Sequence, residues 1–230
     1  MYILAVDTSG NVCSAAVLDD TRILAETYVD NKKTHSETLA PMADGCLKSA
    51  GLGIKDVRLF CCAIGPGSFT GIRIGAGLIK AFAHASGKPA IGVNTLDALA
   101  QNMAGTDGIV CPVIDARRGE VYTASYRNGE RITDYRALLL DDVLRELSGE
   151  KAVFLGDAAI SFKKKILEAS ATFRVAHTGI ALQRAGSVGL AALALYNKGA
   201  YSDAYTLEPF YLRETQAERL LKASRAPGKS

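Results

Sequence analysis

The first apolar stretch, Tyr2–Asp7, closes on an aspartate. Two more follow at Val12–Asp19 and Arg22–Val29. Ser9-Gly10-Asn11 and Asp19-Asp20 separate them, and such residues mark tight turns, so the pattern predicts a three-stranded antiparallel meander. A helical period then takes over between Ser36 and Ala50. Leu39, Met42, Ala43, Cys46, Leu47 and Ala50 fall on one face, and Gly51 ends the run. Leu59–Ile64 is apolar throughout, as a strand buried on both faces must be. It leads through Gly65-Pro66-Gly67-Ser68 into a helix reaching Ser86, then a strand at Pro89–Val93 and a helix at Thr95–Asn102.

After Gly105-Thr106-Asp107-Gly108 the pattern restarts. Ile109–Asp115 is again an apolar strand ending in Asp. Val121–Arg127 reads as its hairpin partner, with a third strand expected around Ile132. Asp141–Leu147 reads as helix, Ala152–Leu155 as strand, Phe162–Ala169 as helix, and 180–197 as a long apolar helix. Strands followed by helix–strand alternation, twice over, predict an α/β protein of two lobes, each a mixed sheet flanked by helices. The expected lobes are 1–106 and 107–212, followed by a basic tail at 213–230. Which lobe the last helix joins stays open.

Composition narrows the class. Hydrophobic residues make up 48% and charged residues 22%, so a folded core is expected and disorder is not. The net charge is +3, and residues 213–230 carry all of it, with Arg213, Arg219, Lys222, Arg225 and Lys229 against Glu214 and Glu218. The rest of the chain is neutral, which argues against a nucleic-acid reader that works alone. The tail is either a frayed terminus or a contact to RNA inside an assembly. Cys13, Cys46, Cys61, Cys62 and Cys111 form no CxxC and sit mostly in apolar runs, as small buried residues of a reducing compartment do. The longest charge-free runs, 59–72 and 185–197, fall short of the roughly 20 residues a membrane span needs. No signal peptide is visible either, so a soluble cytoplasmic protein is expected.

Three segments carry candidate chemistry. Asp7-Thr8-Ser9-Gly10 is either an ordinary turn or a place for a cation and phosphate oxygens. Asp115-Ala116-Arg117-Arg118-Gly119-Glu120 stands at the matching place in the second half. Two Asp-ended hairpins across a cleft are the phosphate-binding plan of actin-like ATPases. Here Arg117 and Arg118 replace the glycine-rich turn that lets backbone close on a nucleotide. Gly65-Pro66-Gly67-Ser68 opens a helix with Ser68 as N-cap, and Gly67, Gly71 and Gly75 are spaced by four. That segment serves either anion binding or close packing. The nucleotide- or anion-binding candidates are Asp7, Thr8, Ser9, Gly65, Gly67, Ser68, Asp115 and Arg117. The helix beyond is apolar nearly all round, so it needs a partner on more than one side. His35, His84 and His177 lack metal-ligand spacing, and His35 reads as a cap or surface residue; no metal site and no catalytic nucleophile is assembled.

The stretches ILAVDTS, HSETLAP, GPGSFTGIRIG, GVNTLDALA, DARRGEVY and EPFYLRE resemble the TsaB (YeaZ) family from residue 2 to about 214. The resemblance implies two actin-like (ribonuclease H-like) lobes and a role in making N6-threonylcarbamoyladenosine at position 37 of ANN-reading tRNAs. It implies a non-catalytic subunit that dimerises with a TsaD-like catalytic subunit and works with a TsaE-like ATPase and tRNA. Whether the chain alone is a homodimer or a monomer stays open. No cofactor is expected on the chain itself, ATP and Mg being carried by partners. Thr95 and Leu99 stand where the catalytic relative has metal-binding histidines. The interface implied includes Leu39, Met42, Cys46, Gly71, Ile74, Gly75, Leu78 and Phe82. The rival reading is a small-molecule kinase or ATPase using Asp7 and Asp115.

Overall fold

A computed structural model describes residues 1–31 and 33–213. The basic tail expected at 213–230 lies, beyond Arg213, outside the described residues. The first sheet holds β1 (Tyr2–Asp7), β2 (Cys13–Leu18), β3 (Ile23–Val29), β4 (Val57–Gly65) and β5 (Ala90–Asn94). Their order is β3-β2-β1-β4-β5, with the first three antiparallel and β4 and β5 parallel to β1. Successive side chains on a strand point to opposite faces, and both faces of this sheet are covered. Leu4, Val6, Cys13, Ala15, Val17, Phe60 and Cys62 pack under α1 (His35–Ser49) and α2 (Phe69–Ser86). Ile3, Ala5, Ala16, Leu18, Leu59 and Cys61 pack on the opposite face. That double coverage is why these strands are apolar without alternation. Ser68 caps α2 by accepting from Gly71 N, and Gly87 closes it at φ 60°.

The second sheet repeats the plan. β6 (Ile109–Asp115), β7 (Glu120–Thr123), β10 (Arg136–Leu139), β11 (Ala152–Leu155) and β12 (Phe173–Val175) run in the order β10-β7-β6-β11-β12. The third strand is therefore at Arg136–Leu139, not around Ile132, which is 50% exposed. A small hairpin intervenes: β8 (Tyr126–Arg127) and β9 (Glu130–Arg131) turn at Asn128-Gly129, both at positive φ. The expected Val121–Arg127 strand is split at Ala124-Ser125, so that β7 and β8 both pair with β6. On the outer face lie α4 (Leu140–Glu146), α5 (Asp157–Ser161) and α6 (Lys163–Ala169). Only Lys163–Ala169 of the expected Phe162–Ala169 helix is continuous.

Between the sheets lie α3 (Thr95–Gln101) and α7 (Ala185–Asn197). α7 joins the first sheet: Ala185, Val188, Ala191 and Ala192 meet Ile3, Ala5, Ala16 and Leu18. Conversely Leu96 and Leu99 of α3 pack on Val110, Ile114 and Leu155 of the second sheet. α7 begins at Ala185 rather than 180. Residues 180–184 are held in another conformation by neighbours: Asn102 Nδ2 donates to the carbonyls of Ile180 and Leu182 at 2.8 Å each, and Gly156 N donates to Ala181 O. The chain then returns across the first lobe. Ala90 and Ser202 bridge, Lys80 Nζ donates to Leu207 O, Phe210 N donates to Ile64 O, and Arg213 pairs with Glu120 of β7. All five cysteines are buried and free, as expected of small core residues.

Candidate functional site

The carboxyl ends of β1 and β6 face a cleft of about 890 Å³. Ser9, Gly67, Ser68, Asp115 and Arg117 of the expected set line it; Asp7, Thr8 and Gly65 do not. Asp7 is 1% exposed, beneath the turn it begins. Ser9 N and Ser9 Oγ both donate to Asp7 Oδ1, at 2.8 and 2.7 Å. Asp7 Oδ2 has no donor among the described residues. Burial pushes the carboxyl up to about 6, against the two Ser9 bonds and nearby His35, which pull it down.

The glycine turn serves packing. Ser68 N donates to Ser9 O at 2.7 Å, and Thr8 Oγ1 donates to Gly71 O at 2.7 Å. A Cβ on Gly67 would overlap Ser9 O, one on Gly71 would overlap Thr8 O, and one on Gly75 would come within 2.6 Å of Thr8 Oγ1. The strip spaced by four is the surface on which α2 meets the first turn. Of the N–H groups at the turn, Ser68 N is taken by Ser9 O, while Gly67, Ser68, Phe69 and Thr70 line the cleft.

Across the cleft, Arg117 N donates to Asp115 Oδ1 at 2.7 Å. Arg117 and Arg118 both adopt left-handed φ, 67° and 57°, a costly conformation for residues with a Cβ. Beside Asp115 stands Asp157, at the start of α5. It accepts from Asp115 N at 3.0 Å and from Ala158 N at 2.8 Å. Burial raises its carboxyl pKa, and the neighbouring Asp115 adds to that rise against the backbone bonds. Sequence reasoning missed Asp157 and the segment Phe210–Arg213, both lining the cleft. Gly156-Asp157 after an apolar strand was the available signal for the first. Nothing local places the second.

The two aspartates of the kinase or ATPase reading differ in access to the cleft. Asp115 reaches the cleft; Asp7 is closed off from it and keeps its proton to about pH 6. Mg²⁺ at a nucleotide is held by one or two carboxylates together with phosphate oxygens and water. Of that pair Asp115 alone lines the cleft, with Asp157 as its neighbour on the same lobe.

The state of Asp7 has a measurable consequence. Between its ordinary value of 3.8 and about 6, the native state holds a proton that the unfolded chain has released. Stability therefore falls as pH rises through that window and stays lower above it. Asp7→Asn keeps an oxygen for both Ser9 donors and removes the buried charge. It is expected to stabilise the protein at pH 7.5 by about 2 kcal/mol and to leave it nearly unchanged at pH 4. Thermal melts of both proteins across pH 4–8 check this; parallel curves would refute the raised carboxyl.

Comparison with known proteins gives the site its context. Residues 22–220 match the family model for TsaD, tRNA N6-adenosine threonylcarbamoyltransferase. The Bacillus subtilis tRNA threonylcarbamoyladenosine biosynthesis protein TsaB is 34% identical over 224 residues, covering 95% of this chain and 96% of the relative. The chain belongs to the TsaB (YeaZ) family. The Escherichia coli TsaB is 36% identical over 160 residues, 65% of this chain and 69% of that one. The solved YeaZ of Pseudomonas aeruginosa superposes with a TM-score of 0.79 at 27% identity, over 92% of this chain and 99% of that one. Component A of the Acidaminococcus fermentans (R)-2-hydroxyglutaryl-CoA dehydratase, at 13% identity and TM-score 0.55 over 87% of this chain and 99% of that one, shares the actin-like fold.

In this TsaB-family chain the eight residues expected at an interface divide by burial. Leu39, Met42, Cys46, Gly71 and Gly75 are buried in the first lobe, the first three in its core and the glycines against Thr8. They are corrected from surface to interior. A helix apolar nearly all round hides from sequence which of its stripes the sheet takes. Ile74, Leu78 and Phe82 are half-buried: they pack on the edge of the first lobe's core, with Phe82 6.0 Å from Phe60 between ring centroids, and keep part of their surface open to solvent. Thr95 and Leu99 are also interior, Leu99 in the core between α3 and the second sheet. No described helix is long and apolar enough to cross a membrane.

Proposed function

We propose that this chain is the non-catalytic, cytoplasmic subunit of a complex that forms N6-threonylcarbamoyladenosine at position 37 of ANN-reading tRNAs. It dimerises with a TsaD-like catalytic subunit and activates it. A TsaE-like ATPase and tRNA join the pair, and partners carry ATP and Mg.

The observation that carries the interface is the outer stripe of α2. Ile74, Leu78 and Phe82 are one turn apart and half-exposed, and Gly77, Ala81 and Ala85 run beside them, exposed. Small residues at four-residue spacing let a second helix approach closely, and the larger ones supply apolar area. Each Å² buried there contributes roughly 25 cal/mol before association costs. In the absence of its partner the same stripe pairs with a second copy of the chain.

The test is reconstitution with each component left out in turn. Omitting this chain is expected to abolish modified tRNA while the catalytic subunit stays folded. Undiminished modification without it would end this reading.

A further inference from the structure

The chain that returns across the first lobe runs antiparallel along one flank of α2. Tyr205 packs edge to face on His84, with ring centroids 5.4 Å apart. Lys80 Nζ donates to Leu207 O at 3.1 Å, and Arg73 Nε donates to the Tyr211 hydroxyl at 2.9 Å. Phe69, Arg73, Lys80 and His84 fall within about 60° of one another around the helix. Ile74, Leu78 and Phe82 form the opposite flank, and Gly77 and Ala81 are exposed between the two. A second helix seated over Gly77 and Ala81 therefore meets an apolar wall on one side and a basic, aromatic wall on the other.

Arg73 is the exposed, unpaired charge of that second wall. Its Cζ stands 3.8 Å from the Phe69 ring centroid and 5.9 Å from that of Tyr211, and the two rings are 5.1 Å apart. The bond to Tyr211 takes Nε and leaves Nη1 and Nη2 without an acceptor among the described residues. Lys80 is engaged by Leu207 O, and His84 Nδ1 lies 3.1 Å from the Tyr205 hydroxyl. α2 itself carries no Asp or Glu. On the returning segment Asp203 accepts from Tyr205 N and Thr206 N within its own turn, and exposed Glu208 pairs with none of the three basic residues. A guanidinium already held by stacking loses little freedom on binding, and its planar fork fits a carboxylate. Covered by a helix that brings no carboxylate, it would become a buried, unpaired charge.

We infer that Arg73 is the polar anchor of the partner interface and that the catalytic subunit brings an Asp or Glu to it. The inference rests on the proposed heterodimer through α2, and adds which partner that surface prefers. A second copy packing α2 on α2 offers Arg73 no carboxylate from that helix, whereas a partner helix with an acidic flank satisfies it. Arg73 thereby favours the catalytic subunit over self-association.

The test is titration calorimetry of the full chain against the catalytic subunit, at low and high salt. Arg73→Glu is expected to weaken the heterodimer at least about a hundredfold, and Arg73→Gln about thirtyfold. Arg73→Lys keeps the charge without the planar fork, and is expected to lose about tenfold. Arg73→Gln is also expected to flatten the salt dependence of binding, which a packing role would leave unchanged. Because Arg73 is exposed, each variant alone is expected to melt close to wild type. Replacing the exposed carboxylates of the catalytic subunit by Arg, one at a time, is expected to find one change that restores binding to Arg73→Glu. An affinity of Arg73→Glu within about threefold of wild type would overturn the anchor. So would a loss that no charge reversal restores. If Leu78→Asp breaks the complex and Arg73→Glu does not, the α2 interface stands and the anchor falls. If both bind as wild type does, the interface is elsewhere and both fall. The component-omission assay reads the subunit role separately from either.

Discussion

Adding one methyl group at Gly71 is expected to cost about 3 kcal/mol and to lower the melting temperature by roughly 6–12 °C. Gly71 is in the first turn of α2, where its carbonyl accepts from Thr8 Oγ1 at 2.7 Å and its missing side chain leaves room for Thr8 O. A Cβ would overlap that carbonyl oxygen. Backbone is what it meets, one residue beyond β1, so no rotamer change relieves the contact. α2 has to lift from the sheet, opening the core around Ile72, Ala76 and Ile79. Gly77→Ala is the control. It is on the outward side of the same helix, with nothing within 4 Å of a new Cβ. There alanine replaces a poor helix former and is expected to gain about 0.5–1 kcal/mol. Circular dichroism melts of the two variants check the contrast. A Gly71→Ala protein within about 1 kcal/mol of wild type would show that the helix does not rest on Thr8.

The two-lobed plan is legible because each half writes it in the same order. Both strands that end in aspartate, Tyr2–Asp7 and Ile109–Asp115, stand at the centre of their sheets with the same neighbours. Periodicity is a local property, and it locates β1, α1, β4 and α2 well. It fails where tertiary contacts override it. The apolar run from 180 reads as helix, but Asn102 and Gly156 take its first carbonyls, so α7 starts later. Asn128-Gly129 makes a hairpin that displaces the third strand of the second lobe.

The site is less legible for a related reason. An aspartate at the end of a strand reads the same whether it faces solvent or lies under its own turn. Asp115 does the first and Asp7 the second, and the difference is the weight of α2 on the first turn. Glycines spaced by four state that something comes close, but not whether it is a phosphate or a helix. Here Ser68 N goes to Ser9 O, and the approach is between protein segments. The segment Phe210–Arg213 is brought to the cleft only by the long return across the first lobe. That arrangement depends on contacts to Ile64 and Glu120, more than 90 residues distant.

Leu78→Asp is expected to weaken the proposed heterodimer with the catalytic subunit at least a hundredfold while leaving the fold intact. Leu78 is half-exposed midway along the outer stripe of α2, flanked by Ile74 and Phe82. In the complex the substitution removes the apolar side chain, about 2 kcal/mol, and buries a carboxylate without a partner, which costs several more. A factor of one hundred corresponds to about 2.7 kcal/mol, so the loss exceeds the threshold with room to spare. In the free chain Leu78 also packs on the edge of the first lobe's core, so the substitution is expected to cost about 1 kcal/mol and to lower the melting temperature by a few degrees, with folding kept. Gly75→Arg would not serve, because a Cβ there already meets Thr8 Oγ1 and the fold itself would give way. Titration calorimetry against the catalytic subunit, with the melt of each protein alone, reads both quantities. An affinity within threefold of wild type, in a Leu78→Asp protein that stays folded, would move the interface off this helix.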